Sequence, residues 1–123
     1  MISDKNTCLH ELKDKIKEFV KEREWERYHH PKELAISMSI EIAELLEIFQ
    51  WEEKECLGLL ENNQQKMERI REELADVIMY ALSISNQLNI DLSQAIIKKL
   101  EANKIKYPSE KVLKEGLYKK KTY

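Results

Sequence analysis

The chain has 123 residues, 42% of them hydrophobic and 36% charged, with two glycines and two prolines. This length and composition predict one globular, mostly helical domain. The 21 basic and 23 acidic residues give a net charge of −2, which argues against a positive field that draws a protein to nucleic acid or an anionic membrane. The two cysteines, Cys8 and Cys56, suit a reducing compartment, and no apolar run approaches a membrane span. We therefore expect a cytoplasmic protein whose partners include neither a nucleic-acid polymer nor a membrane.

A first amphipathic helix is predicted from an N-cap at Thr7 to about Arg27, because apolar residues recur there at helical spacing: Leu12, Ile16, Phe19 and Val20. Pro31 is well placed as the first residue of a second helix, which ends near Gln50. This second helix is apolar on nearly every side, and one short chain does not readily cover such a surface. We therefore predict self-association to a homodimer or a homotetramer.

A long third helix is predicted from Gln64 to about Gln87, polar in its first half and apolar in its second. Residues 51–63, which separate it from the second helix, contain Gly58 and lose the helical periodicity. We expect them to form a connector that holds about one helical turn.

A fourth helix is predicted to begin at Asp91, because Gln94 three residues later gives a pattern like a capping box. Tyr107 and Pro108 stop this helix. The four helices together form one predicted domain, residues 1–108.

Residues 109–123 are expected to form a mostly irregular C-terminal tail, with Gly116 as a turn. The tail contains the only basic run of the chain, Lys119 to Lys121. Such a run is typical of a solvated tail. The alternative is a flap that closes over a polyanionic ligand.

Two of the predicted helices carry acids where an apolar helix is expected to have none. Glu41 and Glu44 interrupt the second helix, and Glu73 and Asp76 stand where the third becomes apolar. Carboxylates three residues apart share one helix face, with Cβ atoms about 5–6 Å apart. Because burying an ionised carboxylate is costly unless it is paired or binds a cation, four acids converging from two helices predict a divalent metal site.

Spacing alone is weak evidence, since 23 acids in 123 residues give roughly four such pairs by chance. Apolar neighbours strengthen the signal around both pairs: Ile40, Ile42, Ala43 and Leu45, then Leu74, Ala75, Val77 and Ile78. The alternative is a solvated stripe of acids that face water or pair with lysine and arginine.

Carboxylate ligands favour a hard cation, Mg²⁺ or Mn²⁺, and Mg²⁺ commonly takes phosphate oxygens of a substrate as further ligands. A di-iron four-helix bundle is the competing metal site. It needs two Glu-x-x-His motifs, and the sequence has one, Glu26 to His29. The acid pairs therefore predict a substrate that bears phosphate.

Two stretches of the chain carry a more specific likeness: EREWERYHHPKELAISMSIEIAELLEIFQW, which ends at Trp51, and EELADVIMYALSISNQLNIDLSQAIIKKLEANKIKYP, from Glu72 to Pro108. Residues 10–108 resemble the MazG-like all-α nucleotide pyrophosphohydrolases, and look most like the dCTP pyrophosphatase branch. The resemblance implies an all-α, four-helix MazG-like bundle, which agrees with the oligomer expected from the apolar second helix. It also implies Mg²⁺-dependent hydrolysis of a nucleoside triphosphate, dCTP or a related deoxynucleotide, to the monophosphate and pyrophosphate. The family's metal ligands and catalytic acids are matched by Glu41, Glu44, Glu73 and Asp76.

The resemblance also implies contacts to the base. Trp25 and Trp51 match the tryptophans that flank the family's second helix and line its base pocket, where an aromatic face stacks on a base for about 1–3 kcal/mol. Ordinary packing is the alternative for both. His29 is expected to add a base or ribose contact. Some cytosine-preferring relatives have a histidine nine residues before the first tryptophan, where this chain has Ile16, so base selectivity stays open.

Contacts to the phosphates are implied as well. The family's phosphate-binding segment is matched by Lys99, Asn103, Lys104 and Tyr107, and cationic donors there offset the charge of a triphosphate. Tyr80, four residues beyond Asp76 on the same helix face, either reaches a phosphate or packs. A solvated helix face is the alternative for the lysines.

Two other functions stay open at the level of sequence. One is a non-catalytic helical interaction module whose apolar faces bury against a partner. The other is a related all-α pyrophosphohydrolase that acts on another nucleotide, such as dUTP. Stabilisation by Mg²⁺ together with a nucleotide separates an enzyme of this kind from an interaction module.

Overall fold

The computed structural model describes residues 1–51 and 57–115, and every regular element within them is helical. The elements are α1 (Leu9–Glu22), a 3₁₀ helix (Glu26–Tyr28), α2 (Pro31–Phe49), α3 (Leu57–Asn62), α4 (Gln64–Leu88), α5 (Leu92–Lys106) and α6 (Ser109–Glu115). The predicted all-α class is confirmed. Backbone contacts divide the chain into two compact units, Met1–Asn89 and Ile90–Tyr123, and the predicted domain of residues 1–108 stays a prediction. Across the described helices, no segment has the combination of length and apolar character that crossing a bilayer requires.

The boundaries of α2, α4 and α5 follow the predicted signals. Pro31 is the first residue of α2. Asn89 ends α4 in a left-handed conformation, with φ of 53°. Asp91 caps α5 by accepting a hydrogen bond from the Gln94 amide, 3.0 Å from its Oδ1 atom. These residues act through fixed backbone angles and local hydrogen bonds, which is why sequence indicates them well.

The start of α1 differs from the prediction by one residue. Its N-cap is Cys8 rather than Thr7. The side chain of Glu11 accepts a hydrogen bond from the Cys8 amide at 3.1 Å. This glutamate therefore satisfies an amide at the helix start and selects the register of the cap.

α1 ends at Glu22. The predicted end near Arg27 is therefore wrong. Glu24 has a left-handed backbone, with φ of 53°. The amides of Glu24 and Trp25 donate to the carbonyls of Lys21 and Val20, at 3.0 and 3.1 Å. These two bonds form a Schellman motif, which terminates an α-helix and redirects the chain.

Residues 109–115 form α6, so the prediction of an irregular tail is wrong for them. The amide of Val112 donates to the carbonyl of Pro108 at 3.0 Å, which places Pro108 at the cap. Glu110 lies in the first turn and Lys114 in the last, and both charges suit the helix dipole. Proline stops the preceding helix and also begins this one.

Three predictions fall outside the described residues. They concern the turn at Gly116, the basic run from Lys119 to Lys121, and residues 52–56 of the connector. The described remainder of the connector contains α3, which agrees with the expected single helical turn.

α4 is the central helix of the first unit. α2 packs along it, and α1 and α3 contact it less extensively. The buried apolar core consists of Val20, Leu34, Ile48, Val77 and Leu82. This packing brings together the two helices that carry the acid pairs.

A further apolar surface of the first unit stays exposed. Six side chains on α2 and α4 each keep between 47% and 63% of their surface in solvent: Ile36, Ile40, Ile42, Leu46, Leu74 and Ile78. α2 is thus apolar beyond the side that packs on α4. This surface supports the prediction of self-association, which stays a prediction.

Candidate metal centre

Three of the four predicted acids lie together where α2 packs against α4. One carboxylate oxygen from each of Glu41, Glu73 and Asp76 lies within 4.8 Å of the other two. Glu73 and Asp76 share one face of α4 because they are three residues apart, and Glu41 meets them from α2. Glu44 is exposed, and no oxygen of its carboxylate belongs to this trio.

The trio leaves carboxylate oxygens without donors. The Oε2 atoms of Glu41 and Glu73 are buried and have no hydrogen-bond partner. None of the ion pairs within residues 1–51 and 57–115 involves any of the four acids. Because a buried carboxylate oxygen without a partner is costly, this set of oxygens fits a hard divalent cation.

Crowding of the acids changes their proton affinity. Two ionised carboxylates cannot hydrogen-bond to each other, but a protonated Glu41 can donate to Glu73. This hydrogen bond is the main cause that raises the pKa of Glu41 to about 7, followed by burial and by the nearby Glu44. The pKa of Glu73 is also raised: its hydrogen bond with Glu41 lowers it, but burial and the charges of Glu44 and Asp76 outweigh that effect. Glu44 therefore belongs to the electrostatic environment of the centre although it stands outside the trio.

A cleft of about 350 Å³ lies between α1, the 3₁₀ helix and α4. Its lining includes Ile16 of α1, His29, and Ser83 and Asn86 of α4. The Nδ1 atom of His29 is buried without a hydrogen-bond partner. The cleft thus combines an apolar wall with a few polar groups, which is typical of a small-molecule site.

One face of α4 connects the acids with this cleft. Asp76, Tyr80 and Ser83 are spaced four and three residues apart, so their side chains project from the same side of the helix. Tyr80 is half-buried and lies between the other two along this face. Its predicted phosphate contact stays a prediction.

Trp25 stands beside the cleft. Its ring lies edge-on to Phe19, 5.8 Å between centroids, and 6.1 Å from the ring of His29, a lining residue. The guanidinium of Arg23 lies 3.8 Å from the centre of the Phe19 ring and 6.0 Å from that of Trp25. Trp25 keeps 42% of its surface exposed, so part of this side chain is accessible to a ligand.

Trp51 lies at the opposite end of α2 from Trp25. The 19 residues of α2 separate the two tryptophans, a length of about 28 Å. Trp51 is 87% exposed. Within one chain the two rings therefore do not line the same pocket.

The remaining predicted contacts lie in the second unit. Lys99 and Asn103 share a face of α5 at four-residue spacing. Lys104 forms an exposed ion pair with Glu101 at 2.9 Å, and the Tyr107 amide caps the helix by donating to the carbonyl of Asn103 at 2.8 Å. The substrate contacts of these residues stay predictions.

Ser83 and Asn86 are two lining residues of the cleft that no motif in the sequence points to. Both are polar residues inside the apolar run from Leu74 to Leu88, the same signal that identified the acids. Asn86 donates from Nδ2 to the carbonyl of Lys13 in α1 at 3.0 Å. Because serine and asparagine are unremarkable on a helix surface, only the packing of α1 against α4 distinguishes them.

The fold and the site define an all-α protein with a carboxylate centre between two packed helices. Residues 36–119 match the family model described as the MazG-like family. This match spans more than half of the chain, and the chain belongs to the MazG-like family.

Individual proteins of known identity are similar to this chain. dCTP pyrophosphatase 1 from Bos taurus is 34% identical over 91 residues, and its counterpart from Homo sapiens is 33% identical over 92. The alignments cover 74% and 75% of this chain but 54% of each relative, so the chain spans about half the length of these relatives. A crystal structure of a pyrophosphatase from Archaeoglobus fulgidus has a TM-score of 0.74 and 40% identity, covering 89% of this chain and 100% of that one.

Proposed function

We propose that the chain hydrolyses a nucleoside triphosphate, dCTP or a related deoxynucleotide, to the monophosphate and pyrophosphate, with Mg²⁺ as cofactor and Mn²⁺ as a substitute. The carboxylate trio of Glu41, Glu73 and Asp76 carries this proposal. Its partnerless oxygens suit a hard cation that prefers phosphate as a further ligand. The names of the similar proteins, dCTP pyrophosphatase 1 and a pyrophosphatase, support the same reaction.

In this proposal the trio holds the cation, which when bound stabilises negative charge on the phosphates. Glu44 is exposed, yet near enough to raise the pKa values of Glu41 and Glu73. This proximity supports the proposal that its carboxylate accepts the proton of an attacking water. Trp25 stacks on the base through its exposed face. Water needs no serine, cysteine or histidine nucleophile when a carboxylate of this kind accepts its proton.

Variants of neighbouring acids on α4 test the proposal. We expect Glu73→Gln and Asp76→Asn to lower pyrophosphate release from dCTP with Mg²⁺ by about 100-fold or more, because each removes charge that the cation needs. Glu72 is the matched control: it is exposed and outside the trio, so Glu72→Gln should keep nearly the wild-type rate. Wild-type activity in Asp76→Asn would contradict the assignment.

A non-catalytic interaction module is the second candidate, and the exposed apolar side chains of α2 and α4 favour it. The response of the melting temperature to ligand separates the two functions. A protein that binds Mg²⁺ with a nonhydrolysable dCTP analogue is stabilised by both through linkage. An interaction module that does not bind them melts at the same temperature with and without them.

A further inference from the structure

Two polar side chains reach the cleft between α1 and α4 with hydrogen-bonding capacity to spare. The Nδ1 atom of His29 is buried and has no partner. Asn86 uses one amide hydrogen for the carbonyl of Lys13, 3.0 Å away, and its Oδ1 atom accepts no hydrogen bond from the part of the chain that the structure describes. The buried unpaired atom of the two is Nδ1 of His29, and buried polar groups in proteins are nearly always paired. A ligand in the cleft can provide the missing partners.

The hydrogen bond to Lys13 determines which polar atom Asn86 offers to a ligand. The carbonyl of Lys13 is an acceptor and requires the Nδ2 atom of Asn86 as its donor. Rotating the amide by half a turn would place two acceptors against each other. The Oδ1 atom is therefore the acceptor that Asn86, a lining residue of the cleft, has left for a ligand.

The apolar part of the cleft cannot distinguish one base from another. Ile16 lines the cleft from α1 and has no hydrogen-bonding group. A base against it gains apolar contact without regard to the pattern on its edge. Discrimination between bases then depends on the polar groups of the lining, which are Lys17, Lys21, Glu26, His29, Ser83, Asn86 and Gln87. Among them, Asn86 has an amide whose orientation a hydrogen bond to the backbone fixes.

We propose that Asn86 is a specificity-determining residue, whose Oδ1 atom accepts a hydrogen bond from the exocyclic amino group of a nucleobase bound in this cleft. His29 meets the adjacent ring nitrogen through Nδ1. Cytosine and adenine present an amino group beside an acceptor ring nitrogen, whereas uracil and thymine present a carbonyl beside an N–H. The inference rests on the proposed hydrolysis of a nucleotide and names the bases that this site prefers.

The distance along α4 between the acids and the cleft allows a single nucleotide to reach from one to the other. Asp76 and Ser83 share a face of α4 and are seven residues apart, a rise of about 10 Å. This length is comparable with the reach of a nucleotide from its phosphates to its base. Tyr80 lies between them, at the level where the sugar would pass.

Selectivity between two substrates tests the role of Asn86. We expect wild-type protein to give a kcat/KM for pyrophosphate release that is at least about tenfold higher for dCTP than for dUTP, since one base-edge contact supplies discrimination of this order. In Asn86→Ala this ratio should fall toward unity. Asn62→Ala, an exposed asparagine on α3, is the matched control and should keep the wild-type ratio.

The ratio of kcat/KM for dCTP to that for dUTP also distinguishes recognition of the base by Asn86 from a purely structural role of this residue. Loss of the bond to Lys13 lowers the folded fraction for both substrates equally and leaves their ratio unchanged. An unchanged ratio in Asn86→Ala therefore overturns the inference, as does equal hydrolysis of dCTP and dUTP by wild-type protein.

Failure of the proposed function gives a different result. If wild-type protein releases no pyrophosphate from any deoxynucleotide with Mg²⁺ or Mn²⁺, the proposed hydrolysis is wrong. Titration with dCMP and dUMP, followed through the side-chain amide NMR signals of asparagine, then tests the cleft directly. Tighter binding of dCMP that is lost in Asn86→Ala supports the role of Asn86, and equal binding of both nucleotides overturns it.

Discussion

Glu41 carries a carboxylate whose pKa of about 7 lies well above the ordinary value of 4.5. A raised pKa means that the folded protein binds this proton more tightly than the unfolded chain does. The resulting stabilisation is complete below pH 4.5 and is lost as the pH rises through 7. The metal-free centre therefore opposes folding at neutral and alkaline pH, where the proposed cation would relieve the repulsion.

The upward shift of this pKa predicts how the stability of Glu41→Gln depends on pH, because glutamine imitates the protonated acid. Relative to wild type, the variant should gain free energy of unfolding as the pH rises from about 5 to about 8 in EDTA, and Mg²⁺ should narrow the gap by stabilising wild type. Urea denaturation at several pH values measures the difference. Glu47→Gln, an exposed glutamate on α2, should differ from wild type by an amount that does not change over this range. If the free energy of unfolding of Glu41→Gln also differs from that of wild type by an amount independent of pH, the pKa of Glu41 is not raised.

At the scale of elements, the motif that ends α1 decides where Trp25 stands. Glu24 adopts a left-handed backbone conformation, which is unfavourable for any residue with a Cβ atom by roughly 1–2 kcal/mol. The motif nevertheless brings the Trp25 ring against Phe19 and beside His29. The strained backbone at Glu24 is therefore part of the turn that brings the Trp25 ring beside the cleft.

The strain predicts opposite effects of glycine at two neighbouring positions. Glu24→Gly should raise the free energy of unfolding by about 0.5–1 kcal/mol, because glycine adopts positive φ freely. The lost ion pair with Arg27 is exposed and offsets little of this. Glu22→Gly, in the last turn of α1, should instead lower the free energy of unfolding by about 1 kcal/mol. Chemical denaturation of both variants checks the sign, and destabilisation by Glu24→Gly would show that its backbone is not left-handed in solution.

At the scale of the whole molecule, the distance between the tryptophans and the exposed apolar faces point to the same assembly. Trp25 and Trp51 are separated by the length of α2, so both contact one base only if they come from different copies of the chain. Apolar side chains on α2 and α4 provide a surface for association. A symmetric dimer would place the same surface on both partners.

Subunit mixing tests this arrangement. In the proposed arrangement Trp25→Ala and Trp51→Ala should each lower dCTP hydrolysis, because each would remove a stacking face from every site. When the two variants are unfolded and refolded together, half of the dimers are mixed and each contains one intact site. The mixture should recover about one quarter of the wild-type activity, as the symmetry of a dimer requires. Additive residual activity, without recovery, would mean that both tryptophans of a site belong to one chain or that Trp51 has no role.

Much of the fold could be predicted because the signals act over a few residues. Pro31, Asn89 and Asp91 mark helix ends through backbone angles and hydrogen bonds that need only local sequence. The spacing of Glu73 and Asp76 placed them on one face for the same reason. Local sequence predicts less well where two local arrangements compete. At the start of α1, Thr7 and Cys8 are alternative N-caps, and after Pro108 a new helix competes with an irregular tail.

The sequence alone determined the helical class, most helix boundaries and the presence of acids on apolar helices. Only the tertiary structure decided that Glu41 joins Glu73 and Asp76 while Glu44 stays exposed, and that Asn86 faces a cleft with His29. The physical reason is that spacing along one helix fixes which side chains share its face. Which faces meet depends on how side chains far apart in sequence pack together, and this determines what the site can bind.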